Sequence, residues 1–465
     1  MPYVFYDTET TGLQTAFDQI LQFAAILTDD NFNEIDSINI RSRLLPYVVP
    51  SPGALLTTRV KPGDIISKNL PSHYEFIRTI RAKLLQWSPA TFIGYNSISY
   101  DEELLRQAFF QSLYNPYLTN TKGNSRADIM KIAHAVSVYA PGVIKVPTLG
   151  GKETFKLDRL APENGFAHDD AHEALADVRA TIYMAQLMKD AAPDVWAQMA
   201  MTSKKKDAVD YALSEKMFSL TERMFNKNYS WLVAPCGTNP KNNGQIGVFD
   251  LAYNPDDFCS LSVEQLIAVM GSKEKAVRSV RGAAQPIMMS ANLAPENTKA
   301  LELSPEEIER RANVVAADQN FQNNVQAALA GRFEGEEPSP YVEKQIYDGF
   351  VSDADGVIFE KFHGAEWSAR PAIIDPIECA RSSEFARRLI WVQQASLHSD
   401  QERERLKKWF IDRVTTEEEV PWTTIKSGMA EADKHLKDAD YEKSAAISDI
   451  KDFLSDYGKC SHHDC

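Results

Sequence analysis

The chain has 465 residues, more than one hydrophobic core usually serves, so we expect two or three domains. Its formal net charge of −15 argues against a protein coated by nucleic acid, although an enzyme acting on nucleic acid needs only a local basic track. The five cysteines are scattered and odd in number, so we expect no disulfide framework. The sequence shows no signal segment and no apolar run of membrane-spanning length, so we expect a cytoplasmic protein.

The first strand of the chain carries a candidate metal site. Tyr3–Tyr6 is a β-branched and aromatic run that predicts a strand, and it leads directly into Asp7 and Glu9. Side chains two residues apart on a strand point to the same face, so the two carboxylates project together just before Gly12. Adjacent carboxylates repel each other unless a cation lies between them, and Mg²⁺ prefers oxygen ligands. A solvated strand end is the alternative interpretation.

The next elements predict an α/β fold for the first 190 residues. Strands at Ile20–Thr28 and Ile38–Leu45 complete an antiparallel meander with the first strand. Turns are predicted at Pro50–Gly53 and Lys61–Gly63. The later predicted elements are a helix over Tyr74–Trp87, a strand from Thr91 that breaks at Gly94, helices over Asp101–Leu113 and Asn124–His134, a loop over Gly142–Glu153, and a helix from Asp169 to about Lys189 with a capping box of Asp170 and Glu173. Strands followed by strand–helix alternation are typical of the α/β class.

The rest of the chain changes character twice. A basic run at Ser203–Lys206, after Pro193, marks a boundary, and Trp231–Phe258 is strand-like. Helices are predicted at Leu261–Met270 and Pro305–Leu329, followed by a polar link, Gly335–Pro340. From Tyr347 onward the pattern is almost entirely helical. We therefore predict domains at residues 1–190, 193–342 and 345–465.

Two later segments add acidic residues and a histidine to the first pair. Asp101 ends the segment Asn96-x3-Tyr100-Asp101, and His172 lies five residues before Asp177. Each segment alone is typical of a solvated surface, but the ordered combination with Asp7 and Glu9 is a strong signal. These blocks resemble the signature of the DnaQ-like 3′→5′ exonucleases of the histidine subtype, which share a ribonuclease-H-like fold.

That resemblance implies a role for each member of the set. It implies that four carboxylates bind the metal ions, namely those of Asp7, Glu9, Asp101 and Asp177. It also implies that His172 is the general base. The chemistry agrees, because phosphodiester hydrolysis by two divalent ions needs about that many carboxylates, and a neutral imidazole can accept a proton from the attacking water. We expect two Mg²⁺ ions, with Mn²⁺ as a substitute.

The resemblance extends to the bacterial exonuclease I family through further segments on both sides of residue 190. These segments are Ile93–Asn96, Tyr100–Arg106, Tyr114–Tyr117, Asn124–Arg126, Phe155–Leu157, Ala171–Val178, Ser230–Pro235 and Gln345–Asp355. The resemblance implies a processive enzyme of DNA repair and recombination that degrades single-stranded DNA from the 3′ end to 5′-mononucleotides. It also implies an SH3-like middle domain and a helical C-terminal domain that form a C-shaped clamp with the nuclease domain. The implied partner is the acidic C-terminal tail of single-stranded DNA-binding protein, and the clamp favours a monomer.

Candidate DNA contacts combine positive charge with an aromatic ring, as single-strand binding sites do. By resemblance, Arg106 and Tyr117 contact the strand, and Lys156 contacts the terminal phosphate. Arg126 belongs to the same basic track, and Glu9 is expected to contact substrate as well as metal. A surface ion pair is the alternative interpretation for the two arginines.

Two other functions compete with this one. An RNA-trimming or proofreading nuclease would have the same acidic site, but such enzymes are usually short or attached to a polymerase. A non-catalytic module could bind single strands or scaffold a repair complex, but binding alone does not need the complete acid set.

Overall fold

A computed structural model of the chain describes residues 2–167, 173–332, 337–437 and 439–460. Its N-terminal sheet consists of β1 (Tyr3–Thr10), β2 (Ile20–Thr28), β3 (Glu34–Arg41), β4 (Thr91–Gly94) and β5 (Ser125–Asp128). The strand order is β3-β2-β1-β4-β5, with antiparallel pairing from β3 to β1 and parallel pairing from β1 to β5. The predicted meander and the α/β class are confirmed.

The central strand has hydrophobic core on both faces. Phe5 packs in one buried cluster, whereas its neighbours Val4 and Tyr6 pack in a second cluster. Successive side chains of a strand point to opposite faces, so β1 divides these two clusters. A strand buried on both faces holds its polar residues in a fixed position, and this is where Asp7 and Glu9 lie.

Helices and one short hairpin surround this sheet. They are α1 (Pro52–Thr58), α2 (Pro62–Ile65), α3 (His73–Trp87), α4 (Asp101–Gln111), α5 (Ile129–Tyr139), the hairpin β6 (Thr148–Leu149) and β7 (Lys152–Glu153), α6 (Leu157–Glu163) and α7 (Ala174–Ala191). Helices α3, α4 and α7 confirm the predicted helices in those segments. The predicted turns at Pro50–Gly53 and Lys61–Gly63 instead lead into α1 and α2, because proline is favoured at the first helical position.

Other predicted bounds in this region were wrong. The predicted loop Gly142–Glu153 contains the hairpin of β6 and β7. The third strand is Glu34–Arg41, not Ile38–Leu45, and Leu44 and Leu45 are buried against C-terminal helices in a separate cluster. The segment predicted as a helix from Asn124 begins instead as strand β5, which pairs with β4. Helix α5 starts only after Asp128, whose carboxylate accepts a hydrogen bond from the backbone N–H of Met130 at 3.0 Å.

A second sheet follows, and it is entirely antiparallel. This region comprises α8 (Pro193–Thr202), α9 (Lys205–Ser214), β8 (Phe218–Met224), β9 (Lys227–Thr238), β10 (Gln245–Asp250), α10 (Val263–Gly271), β11 (Val277–Arg281), β12 (Ile287–Ser290), α11 (Pro305–Ala317) and α12 (Gln319–Gly331). Its strand order is β11-β10-β9-β8-β12. The predicted helix Pro305–Leu329 is two helices, because the Asp318 side chain caps a new helix by accepting from Phe321 N–H at 2.9 Å. The SH3-like description stays a prediction.

The last region is helical, as predicted. It comprises α13 (Asp353–Gly364), α14 (Arg370–Ile374), α15 (Ala380–Gln394), α16 (Asp400–Thr415), α17 (Ile425–Leu436) and α18 (Tyr441–Cys460). It packs back on the N-terminal region, where the rings of Phe110 and Phe385 lie 5.0 Å apart and the Tyr457 hydroxyl donates to the Leu45 carbonyl at 2.9 Å. Part of the predicted link Gly335–Pro340 lies outside the described residues. The three domain boundaries and the clamp stay predictions.

Among the described helices, none combines the length and the apolar character needed to span a bilayer.

Candidate active site

Three predicted metal ligands meet where helix α7 packs over strand β1. Asp7 and Glu9 lie on the same face of β1, and Asp177 lies in the first turn of α7. Each offers a carboxylate oxygen, and these oxygens all lie within 4.8 Å of one another. Residues far apart in the sequence therefore form one acidic cluster.

The fourth predicted ligand is the first residue of helix α4. Asp101 is buried, and its carboxylate accepts a hydrogen bond from the Thr8 hydroxyl, between the two acids of β1. Gly94 permits this approach at the end of β4, because a Cβ there would lie 3.1 Å from the Tyr6 carbonyl oxygen and 2.4 Å from the Cβ of Ser97. The glycine at the predicted strand break thus lets α4 begin beside β1.

The electrostatics of the cluster favour a bound cation. Burial, followed by repulsion from Asp101, raises the pKa of Asp7 well above its ordinary value. Burial and the charge of Asp177 raise the pKa of Glu9 to about 9. The Arg41 guanidinium lowers this pKa, but its effect is smaller. Burial also raises the pKa of Asp101 to about 7. Such shifts mean that the carboxylates lack enough positive charge nearby to offset their own.

The histidine of the predicted set, His172, lies outside the described residues, as do Asp169 and Asp170. Helix α7 begins at Ala174, and its N-cap is Glu173, whose carboxylate accepts from the Ala176 N–H at 3.0 Å. The prediction that Glu173 would occupy the third position of a capping box was therefore wrong, because the helix starts later than predicted.

Arg106 and Arg126, two of the predicted DNA contacts, share a buried partner. Glu102 is 1% exposed and lies 3.0 Å from the Nε of Arg106 and 3.2 Å from the Nη1 of Arg126. The Tyr6 hydroxyl of β1 also donates to Glu102, at 3.2 Å. The two arginines do form ion pairs, but these pairs are buried, so the alternative of a surface ion pair is wrong. Their contact with DNA stays a prediction.

Two further predicted DNA contacts, Tyr117 and Lys156, are partly exposed and exposed, respectively. The Arg106 guanidinium lies 5.4 Å from the ring centre of Tyr117, and that ring forms an edge contact with Phe350 at 6.2 Å. Phe350 is 89% exposed. Lys156 is exposed at the N-terminus of α6. Sequence reasoning missed Phe350, although it stands in the segment Gln345–Asp355 that carries the family resemblance.

Comparison with known proteins identifies the family of this chain. Residues 4–185 match the family model described as Exonuclease. The chain is 30% identical over 376 residues to the exodeoxyribonuclease I of Haemophilus influenzae, a match that covers 76% of this chain and 78% of the relative. The chain belongs to the exodeoxyribonuclease I family. The match to the Escherichia coli exodeoxyribonuclease I is also 30%, over 371 residues, and covers 76% of this chain and 77% of the relative.

Membership of the exodeoxyribonuclease I family confirms the predicted resemblance and makes the chain a nuclease. The fold agrees along nearly the whole length of the chain. A structure of E. coli exonuclease I in complex with a dT13 oligonucleotide matches with a TM-score of 0.83 and 25% identity, covering 98% of this chain and 99% of that one. The fold of this chain is therefore that of the E. coli exonuclease I over nearly all of its length.

Proposed function

We propose that the protein is a 3′→5′ exonuclease that degrades single-stranded DNA processively and releases 5′-mononucleotides. One observation carries the proposal: in a chain of the exodeoxyribonuclease I family, the carboxylates of Asp7, Glu9 and Asp177 meet within 4.8 Å. Asp101 adjoins them through Thr8. A site of this kind suits hydrolysis of a phosphodiester, whose negative charge must be offset while water attacks.

The residues present fit a divalent cation. The oxygen-only donor set is the one that Mg²⁺ and Mn²⁺ prefer. The raised pKa values of Asp7, Glu9 and Asp101 indicate carboxylates that would bind a cation in place of protons. We assign two Mg²⁺ ions to Asp7, Glu9, Asp101 and Asp177, with Mn²⁺ as a substitute. When bound, two such ions activate the attacking water and neutralise charge on the phosphate. A related E. coli exonuclease I–DNA complex has been solved with zinc bound.

The protein's own residues then have separate tasks. Glu9, at the end of the buried strand, both binds metal and faces the substrate. We assign acceptance of the water proton to His172, because an imidazole is neutral above about pH 6.5 and can act as a base. Lys156, exposed at the start of α6, would bind the terminal phosphate as a point charge.

An aromatic surface near the acidic cluster supports an unpaired strand as the substrate. Helix α4 leads from Asp101 to Arg106, a rise of about 7.5 Å, and Arg106 contacts the ring of Tyr117. Phe350 continues this surface with an almost fully exposed ring. Bases stack on such rings whatever their sequence, but only when they are unpaired. We propose that the bases of the strand stack on Phe350 and Tyr117 as its 3′ end approaches the carboxylates. Arg106 and Arg126 would supply positive charge beneath this aromatic surface.

The proposed partner is the acidic C-terminal tail of single-stranded DNA-binding protein. A related exonuclease I has been solved as a complex with SSB-Ct. Cys236, Cys259 and Cys379 are free thiols. The cytoplasmic location and the monomeric state stay predictions.

The competing functions fare differently. A non-catalytic binding module is contradicted by membership of a nuclease family. An RNA-trimming or proofreading nuclease would use the same cluster, but the chain matches exodeoxyribonucleases well beyond the region of the exonuclease family model. DNA is therefore the substrate that the observations favour.

The test follows the shortening of a single-stranded DNA oligonucleotide that carries a 5′ label, and identifies the released mononucleotides by chromatography, in Mg²⁺ and in EDTA. We expect shortening from the 3′ end in Mg²⁺ only, and slower attack on RNA or duplex of the same sequence. Asp7→Asn should lower the rate by roughly 10³-fold, because a metal ligand supports several kcal/mol of transition-state stabilisation. Glu34→Gln, an exposed acid on β3, is the matched control. Release from RNA as fast as from DNA, or an active Asp7→Asn, would contradict the proposal.

Processivity needs a separate measurement. An excess of unlabelled strand is added after the enzyme has bound the labelled one. A processive enzyme finishes the bound strand to short products, whereas a distributive one stops at once.

A further inference from the structure

We propose that Glu173 is a positioning residue of the active site, which ties the first turn of α7 to strands β2 and β3 and thereby sets where Asp177 meets the acids of β1. The inference rests on the proposed function, because it concerns the same cluster. Glu173 itself is not assigned as a metal ligand. Its two carboxylate oxygens act on different elements, one on the helix and one on the sheet.

The sheet side of this link is a polar row across three strands. Glu9 of β1 pairs with Gln22 of β2 in the strand register, and Gln22 pairs with Arg41 of β3. Residues directly opposite each other on neighbouring strands share a face. The row therefore runs from a metal-site carboxylate to an amide and then to a guanidinium, on the face that α7 covers.

Gln22 joins this row to the helix. Its side chain is buried, at 2% exposed, and its amide nitrogen donates to Glu173 Oε1 at 2.8 Å and to Asn39 Oδ1 at 2.8 Å. Its amide oxygen accepts from Arg41 at 3.3 Å. Both amide hydrogens and the oxygen are thus in use, which is what a buried glutamine requires. Asn39 strengthens the link by donating to the same Glu173 oxygen at 3.3 Å.

The helix side of the link is the N-cap of α7. Glu173 Oε2 accepts from the Ala176 N–H at 3.0 Å, and the Glu173 carbonyl accepts from the Asp177 N–H, also at 3.0 Å. The first N–H groups of a helix have no partner within the helix, so a capping side chain decides whether the first turn is ordered. Asp177 belongs to this turn. A single residue therefore both orders the turn that carries a metal ligand and holds it against the sheet.

The same geometry places Glu173 close to the metal site without making it part of the three-oxygen cluster. Its charge contributes to raising the pKa values of Asp7 and Glu9. The Glu173 carboxylate acts on Asp177 through the backbone of the helical turn that carries it, not by bonding the ligand side chain. Groups that fix the orientation of metal ligands typically cost about 10- to 100-fold in metal affinity or activity when they are lost.

The experiment compares four variants by kcat, KM for a single-stranded oligonucleotide, and Mg²⁺ affinity measured by calorimetry. Glu173→Ala should lower kcat and Mg²⁺ affinity by about 10- to 100-fold with little change in KM. Glu173→Gln keeps one acceptor oxygen and should fall between. Gln22→Ala cuts the same link from the sheet, so combining it with Glu173→Ala should add little further loss.

The matched control is Asp318→Ala, which removes a capping carboxylate of the same type from the remote helix α12 and should leave kcat unchanged. An unchanged kcat and Mg²⁺ affinity in Glu173→Ala, or fully additive losses in the double variant, overturns the inference. If Glu173→Ala fails to fold, Gln22→Ala carries the same test through Mg²⁺ affinity. A wild-type protein that binds Mg²⁺ but does not degrade DNA would overturn the proposed function alone, since the affinity comparison still tests Glu173.

Discussion

Replacing Glu102 with alanine should destabilise the N-terminal region more than the same change at its neighbour. Glu102 is the carboxylate that Arg106 and Arg126 share, at 3.0 and 3.2 Å, and it also accepts from the hydroxyls of Tyr6 and Thr119. Alanine at this position would leave two guanidinium groups, whose side chains are only 9% exposed, without this shared carboxylate.

The burial of the groups decides the magnitude. Removing one partner of a buried ion pair costs about 3–5 kcal/mol, because the remaining charge stays out of water. Glu103 also pairs with Arg106, at 3.3 Å, but its side chain is 29% exposed. Water therefore reaches Glu103 and screens its pair with Arg106, and Arg106 keeps Glu102 when Glu103 is lost, so Glu103→Ala should cost less than Glu102→Ala.

The assay is urea unfolding followed by circular dichroism, with the free-energy change taken from the shift in midpoint at constant slope. Glu102→Gln retains the hydrogen-bond acceptor but not the charge, and it should give an intermediate loss. The reasoning is refuted if Glu102→Ala costs no more than Glu103→Ala, because the buried carboxylate would then contribute no more than a partly exposed one.

Two further predictions concern the strand and the metal. Phe350→Ala should weaken the binding of a single-stranded oligonucleotide in EDTA by about 5- to 150-fold, because it removes one base stack worth about 1–3 kcal/mol. The control is Phe225→Ala, which removes an equally exposed ring from the β8–β9 hairpin and should leave the binding affinity unchanged. Fluorescence anisotropy measures both, and equal losses would show that Phe350 has no special role. In EDTA, thermal stability should fall as the pH rises from about 4.5 to about 9, because Glu9, with its pKa raised to about 9, keeps a proton in the folded protein that the unfolded chain releases. Mg²⁺ displaces that proton, so its stabilising effect on thermal unfolding should be larger at the upper end of this range than at the lower end, and a pH-independent effect would contradict the assignment.

Elements with a strong local pattern could be predicted from the sequence. The strand Ile20–Thr28 has the predicted bounds, and helix α3 begins one residue before the predicted Tyr74, because apolar spacing and capping act over a few neighbouring residues. Strand β5 could not be predicted in this way. Ser125–Asp128 has little intrinsic strand preference, and it is extended because β4 supplies a parallel partner, a contact that depends on tertiary structure.

In the active site, too, some features could be predicted from the sequence and others could not. The spacing of Asp7 and Glu9 on a strand predicts their common face, and the ordered blocks that resemble a known family point to Asp101 and Asp177. The link through Glu173 was not predicted, because its partner Gln22 lies on another strand and is polar but buried only in the folded chain.

The sequence by itself determined which side chains are available for chemistry and which short segments form helices and strands, since those properties depend on residue type and local spacing. Only the tertiary structure decided that α7 lies over β1, that Glu102 is shared by two arginines, and that an exposed Phe350 meets Tyr117. The physical reason is that burial and long-range pairing arise from how the two sheets and the helices pack together, and these contacts set both the pKa values and the geometry of the site.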